Sequence, residues 1–334
     1  PTRRSSDLAH VSCAGCHIGS GAKWYVKAKF SGLHQVYATL TRSYPRPIPA
    51  PIENLRPAVE TCADCHSPDV FHGNRTLVRR SIPEDGRASD PEVTAVTLYV
   101  GGKLNRGRAF VGIHWHADPN IKIEYQAVDR KRSQIAQVRV TGQGGKQIMF
   151  NSSAIPAAAT DAAWRTMDCS DCHNRVAHRR QTAVQTVDDL ILSGAINSPL
   201  PDIKKAALAS LQATYESSLL ARSGILNSLQ RYYAVNHPTL STGDLETIVP
   251  LAELLFDQAY APNVSPELKV DWDTYPDHIG HTNGSGCFRC HDGEHVSADG
   301  TVIRQDCDYC HSILADGVRE SKIDARFRDV IFAR

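Results

Sequence analysis

Cys169-Ser170-Asp171-Cys172-His173 lies near the middle of the chain, and its reading governs everything around it. The same Cys-x-x-Cys-His pattern returns at Cys13-Ala14-Gly15-Cys16-His17, Cys62-Ala63-Asp64-Cys65-His66, Cys287-Phe288-Arg289-Cys290-His291 and Cys307-Asp308-Tyr309-Cys310-His311. These five motifs use all ten cysteines. The pattern is the attachment site of a c-type haem: two thiols bond covalently to the porphyrin vinyl groups and the adjacent histidine is carried under the ring toward the iron. Chance placement of the chain's Cys and His residues yields roughly 0.01 such pentapeptides. Zinc knuckles and disulfide staples are the competing readings. Zinc has no reason to demand a histidine after every second cysteine, and five CxxC pairs do not divide evenly into four-thiolate sites.

Five covalent haems change what the composition means. The chain has 334 residues, enough for two or three units, and is 41% apolar. Haems supply much of the buried apolar surface that side chains supply elsewhere, so a single conventional core is not required. The formal charge is +1. Each ferric haem with two imidazoles and two propionates adds about −1, which puts the holoprotein near about −4 when oxidised and about −9 when reduced. Basic runs such as Arg130-Lys131-Arg132 and Arg179-Arg180 then read as solvated faces or propionate neighbours rather than nucleic-acid contacts. The chain opens at Pro1, and no run reaches the roughly 20 apolar residues that span a bilayer. Haem attachment takes place beyond the cytoplasmic membrane, so an export signal or anchor is expected before Pro1.

Four stretches are expected. Residues 1–75 form a two-haem unit, with an amphipathic helix over 22–41 and a stiff proline-rich spacer over 44–51. Residues 76–150 form a β-rich insertion, read as an antiparallel sheet of hairpins with strands at 76–79, 93–100, 110–116, 121–128, 135–140 and 147–150. On the third of these strands His114 and His116 should point one way and Trp115 the other. Residues 151–262 hold the third haem and a helical scaffold, with helices near 183–194, 201–215, 219–232 and 244–257. Residues 263–334 form a C-terminal unit with a close haem pair, within which 277–315, dense in His, Gly and Cys, has little room for regular structure. The fold class is thus a multihaem cytochrome c, α+β: helical and irregular haem-wrapping segments around an inserted small antiparallel β-rich region.

The motifs supply five proximal ligands, His17, His66, His173, His291 and His311, and ten histidines remain against two methionines. Bis-histidine ligation of every iron is arithmetically possible, and a His-rich, Met-poor chain points to low potentials. The distal candidates are His72 and His178, each just after a motif; His278, His281 and His295 around the fourth motif; the His114/His116 pair; and His10, three residues before Cys13.

At these residues the chain resembles the NapC/NirT family of membrane-anchored multihaem quinol dehydrogenases. The stretch Val11-Ser12-Cys13-Ala14-Gly15-Cys16-His17-Ile18-Gly19, with Lys27, Lys29 and Gly32 on the following helix, is similar to the family's segment around an early haem. Cys169-Ser170-Asp171-Cys172-His173-Asn174-Arg175-Val176-Ala177-His178 looks like its CxDCHxxxAH haem, in which the last histidine ligates a neighbouring iron. The resemblance implies an N-terminal anchor and a further membrane-proximal haem upstream of Pro1. It also implies electron transfer from the membrane quinol pool to a periplasmic or extracellular cytochrome or a terminal reductase, at the periplasmic face of the cytoplasmic membrane. The β-rich insertion, the long helical region and the closing haem pair depart from the short members of that family, which marks an extended branch. The alternatives are a catalytic reductase of nitrite or hydroxylamine type, which needs an iron with an open axial position, and a subunit of an extracellular cytochrome assembly.

Overall fold

The computed structural model describes residues 12–19, 21–52, 57–63, 66, 70–83, 90–104, 110–159, 162–176, 178 and 180–332. In chain order its helices are α1 (Cys13–His17), α2 (Ala22–Leu40), α3 (Ala58–Cys62), α4 (Cys169–Cys172), α5 (Ala183–Leu192), α6 (Ile203–Leu211), α7 (Ser218–Asn236), α8 (Thr242–Glu246), α9 (Ile248–Leu254), α10 (Ala261–Asn263) and α11 (Ala325–Phe332). The strands are β1 (Arg75–Ser81), β2 (Glu92–Leu98), β3 (Gly102–Lys103), β4 (Phe110–Val111), β5 (Lys122–Ala127), β6 (Ile135–Thr141), β7 (Gln147–Ser152), β8 (Arg165–Thr166), β9 (His295–Ser297) and β10 (His311–Arg319). The described residues divide into two units. Among them, every cysteine and every histidine except His237 lies in the first.

That first unit draws on Pro1–Arg75, Leu98–Arg179 and Tyr275–His311. Its centre is a five-stranded antiparallel sheet in the order β8-β5-β6-β7-β9. Period-two alternation sets the register: Ile123 lies opposite Val140, Tyr125 opposite Val138, and Val138 opposite Phe150. Ile123, Tyr125, Ile135, Val138 and Phe150 form the core on this sheet, and the motif residue Cys290 packs against it. Helix α2 forms where its apolar spacing predicts, with Ala38 its one buried residue.

The second unit, Thr76–Thr97, Arg180–Thr274 and Ser312–Arg334, holds the helical scaffold. Helix α5 opens on a capping box in which Thr182 accepts from the Gln185 amide and Gln185 accepts from the Thr182 amide. On α7, Ala221, Ile225, Leu229 and Tyr233 recur at intervals of four and are fully buried. They pack with Leu211, Leu255 and Tyr260, the last two on the π-helical turn Leu255–Tyr260 that continues α9. A three-stranded sheet, β1-β2-β10, buries Val93 and Ala95 with Ala315, Ile323 and Ile331. Among the described residues no helix is long and apolar enough to cross a membrane.

Three expectations are corrected. The β-rich stretch is not one sheet: β1 and β2 pair into a sheet with β10, while β5, β6 and β7 join β8 and β9. Local alternation marks strands but not their partners. The closing segment is also more regular than its Gly and Cys content suggests, because β10 starts on His311 itself. Finally, the run 110–116 is a strand only through Val111. Gly112 adopts φ 70°, open to glycine and costly for an L side chain, and the chain continues as the 3-10 turn Ile113–Ala117.

Candidate haem sites

The first, third, fourth and fifth motifs each place their thiols by a short turn. In α1, Ser12 caps the helix by accepting from the Gly15 amide at 3.2 Å, which sets Cys13 and Cys16 one turn apart with His17 at the end. In α4 the motif caps itself. Asp168 accepts from the Ser170 amide at 2.8 Å, and Asp171, inside the motif, accepts from the Asp168 amide at 2.8 Å. The fourth and fifth motifs lie on the 3-10 turns Gly286–Arg289 and Cys307–Tyr309.

The motif cysteines lie within electrostatic reach of one another in chain order. The interaction between Cys62 and Cys169 pushes the Cys62 thiol up and the Cys169 thiol down, and Cys62 also senses Cys16. Cys172 and Cys290 are both pushed up by burial, each within electrostatic reach of the other and of Cys287, and Cys310 in turn senses Cys287. Helix α3 correspondingly packs against both α1 and α4.

The histidines pair. Two imidazoles bonded from opposite sides to one iron, at about 2 Å each, stand with ring centroids about 6 Å apart. His17 and His178 are 6.2 Å apart, His116 and His291 5.8 Å, and His281 and His311 6.1 Å. Each pair joins a motif histidine to a histidine outside the motifs. In the second pair His116 Nδ1 lies 2.8 Å from the Ile113 carbonyl and His291 Nδ1 2.6 Å from the Arg304 carbonyl. A carbonyl only accepts, so each Nδ1 carries the proton and each Nε2 keeps a lone pair, the arrangement that orients a metal-bound imidazole. Burial holds His116 below the ordinary imidazole pKa and so neutral at pH 7. His281 is further fixed by stacking on Phe288 at 4.4 Å.

A fourth pair, His72 and His114 at 5.9 Å, contains no motif histidine. Burial and the nearby His173, His72 and His116 push His114 below the ordinary range; His173 is lowered in turn by burial, with His66 adding to the effect and Asp277 opposing it. The backbone of residues 99–101 registers this region: the His72 amide donates to Gly101 at 2.9 Å, the His114 amide to Val100 at 3.1 Å, and the Tyr99 amide to Cys310 at 2.9 Å. Gly112 has to be glycine here, since a Cβ would stand 2.4 Å from the Tyr99 carbonyl oxygen.

His114 and His116 therefore do not share a face as a strand would require. The 3-10 turn sends His114 to His72 and His116 to His291. His295 is fully buried, with Nδ1 at 2.9 Å from Asp292 and Nε2 at 3.1 Å from the Ile135 carbonyl. His278 turns Nε2 to the Lys131 carbonyl at 2.9 Å. His237 lies in the helical unit, paired with Asp202. His10 and Cys65 lie outside the described residues. Sequence reasoning missed Asp171 and Arg289 as structural centres; the signal was a charged side chain inside a motif. Among the described residues no group of three or more His, Cys, Asp and Glu side chains gathers as a metal cage, whereas a structural zinc needs about four ligands.

Over 330 residues, 97% of the chain, the sequence is 39% identical to the cytochrome c-type protein ImcH of Geobacter sulfurreducens. The match supports a multihaem c-type cytochrome. The chain spans 64% of that relative's length. No protein-family model matches the chain, and no solved structure matches it. The cytochrome match implies covalent haem c; the paired imidazoles beside the motifs have the spacing that such a group requires, and His116 and His291 the tautomer as well.

Proposed function

We propose that the chain is an electron relay that carries five haem c groups, one at each Cys-x-x-Cys-His motif. In this reading it belongs to an extended branch related to the NapC/NirT cytochromes. It takes electrons from the membrane quinol pool at the periplasmic face of the cytoplasmic membrane and delivers them to a downstream cytochrome or terminal reductase. What carries the reading is the pairing of His116 with His291, each with its Nδ1 tied to a backbone carbonyl. His17 pairs with His178 and His311 with His281 by the same spacing. His66 and His173 are left to His72 and His114: His114 senses His173 and His72, and His173 senses His66.

Bound at these positions, haem c would supply reversible one-electron exchange at its iron. The residues do the rest. His116 with His291, His17 with His178 and His281 with His311 would hold the iron and leave water and small anions no place on it, and the carbonyls of Ile113 and Arg304 fix the tautomer of His116 and His291. The motif cysteines, within electrostatic reach of one another in chain order, keep successive sites close. A reductase would instead need one motif without a distal imidazole. The test is the spin state of the ferric holoprotein and its reaction with carbon monoxide when reduced. Low-spin signals throughout and no carbon monoxide binding are expected. A high-spin ferric species, or rapid binding by one haem per chain, would overturn the relay in favour of a catalytic site.

A further inference from the structure

Arg289 occupies the second variable position of the fourth motif and is 8% exposed. Its three hydrogen bonds all end on uncharged carbonyls: Nε on Gly286 at 2.8 Å, Nη1 on Arg132 at 3.0 Å and Nη2 on Asp171 at 2.6 Å. Asp171 is the matching position of the third motif, so one guanidinium ties the two motifs together. The Asp171 carboxylate does not face it. That group is 1% exposed and already accepts from Tyr125 at 2.6 Å and from Arg132 and Arg165 at 2.9 Å each. Arg165 also lies 3.6 Å from Asp168. Arg289 thus meets only carbonyls through its hydrogen bonds, held where water screens its charge weakly; Asp171 and Asp277 act on His278 together with it, and Asp292 acts on Cys290 together with it.

We propose that Arg289 is a fixed positive charge shared by the third and fourth haem sites, raising the midpoint potentials of both above the level their axial imidazoles alone would set. The inference rests on the five-haem reading above. Reduction adds one electron and no proton at these sites, lowering the local charge by one, and a buried cation stabilises the product. Because the guanidinium bridges both motifs, it acts on these two sites most strongly.

The experiment is a spectroscopically followed redox titration of purified holoprotein, wild type against Arg289→Gln and Arg289→Lys. Intact mass and ferric spin state are read first: loss of the haem complement or of low-spin signals in the wild type would overturn the haem reading itself, before Arg289 is at issue. With those in place, Arg289→Gln should move two of five redox components to lower potential. The expected size is at least a tenfold change in their reduced-to-oxidised ratio at fixed potential, about 59 mV for a one-electron couple. Arg289→Lys should restore most of it. Five unmoved components, even with a lowered melting temperature, would make Arg289 purely structural and overturn the proposal, as would an equal shift in the lysine variant. Should the glutamine variant fail to accumulate, Asp171→Asn takes its place: removing a negative charge beside the same cations should raise the same two components, and no change or a fall would count against the proposal.

Discussion

In the relay we propose, His116 is a distal ligand made from ordinary parts. The glycine before its turn permits a positive φ, the 3-10 turn brings its Nδ1 to the Ile113 carbonyl at 2.8 Å, and the ring lies 5.8 Å from His291. Removing it should change one site and spare the rest. In His116→Ala the holoprotein is expected to keep every haem, with one becoming high-spin and binding carbon monoxide after reduction. An unaltered spectrum would show that His116 ligates nothing. At this scale the motif residues were legible because thioether chemistry fixes their spacing. Which spare histidine faces which motif was not, because that depends on turns and carbonyls supplied by distant chain. His295, a ligand candidate by its position after the fourth motif, meets Asp292 and Ile135 in the fold.

The elements divide between those that carry their own signals and those that do not. Helices α5 and α7 are readable from capping residues and a buried stripe, and β5, β6 and β7 from alternation. Partner choice between strands depends on long-range burial, which is why β2 joining β10 was not foreseen. Register within the central sheet carries a testable ion pair. Glu124 on β5 lies directly opposite Arg139 on β6, with the carboxylate 2.7 Å from Arg139 Nη2 and 2.7 Å from Lys122 Nζ, while Trp164 covers the guanidinium at 4.3 Å. The hydrogen bond from Lys122, then that from Arg139, hold the Glu124 carboxyl below its usual range despite an opposing contribution from burial. A depressed folded-state pKa gives stability that is present above the unfolded value, about 4.3, and lost as pH falls through the folded value. Glu124→Gln should therefore cost about 1 kcal/mol or less near pH 7. Denaturation curves of variant and wild type should converge below about pH 4. A gap that persists or widens on acidification would show that packing, not charge, sets the effect.

For the whole molecule, the division of labour is clear among the described residues: cysteines and all histidines but His237 in one unit, a helical core and a three-stranded sheet in the other. Neither the two units nor their ranges follow from the sequence, because each is assembled from three separated stretches. Composition was legible in a different sense: ten cysteines in five motifs and only two methionines already point to covalent haem with histidine ligands. The central claim is that all five motifs carry haem, and the most direct measurement is the intact mass of the denatured holoprotein, since covalent haem survives unfolding and non-covalent cofactors do not. The account predicts five haem additions, lost together when the ten motif cysteines are changed to serine. Fewer than five, or zinc in place of iron by elemental analysis, would contradict it.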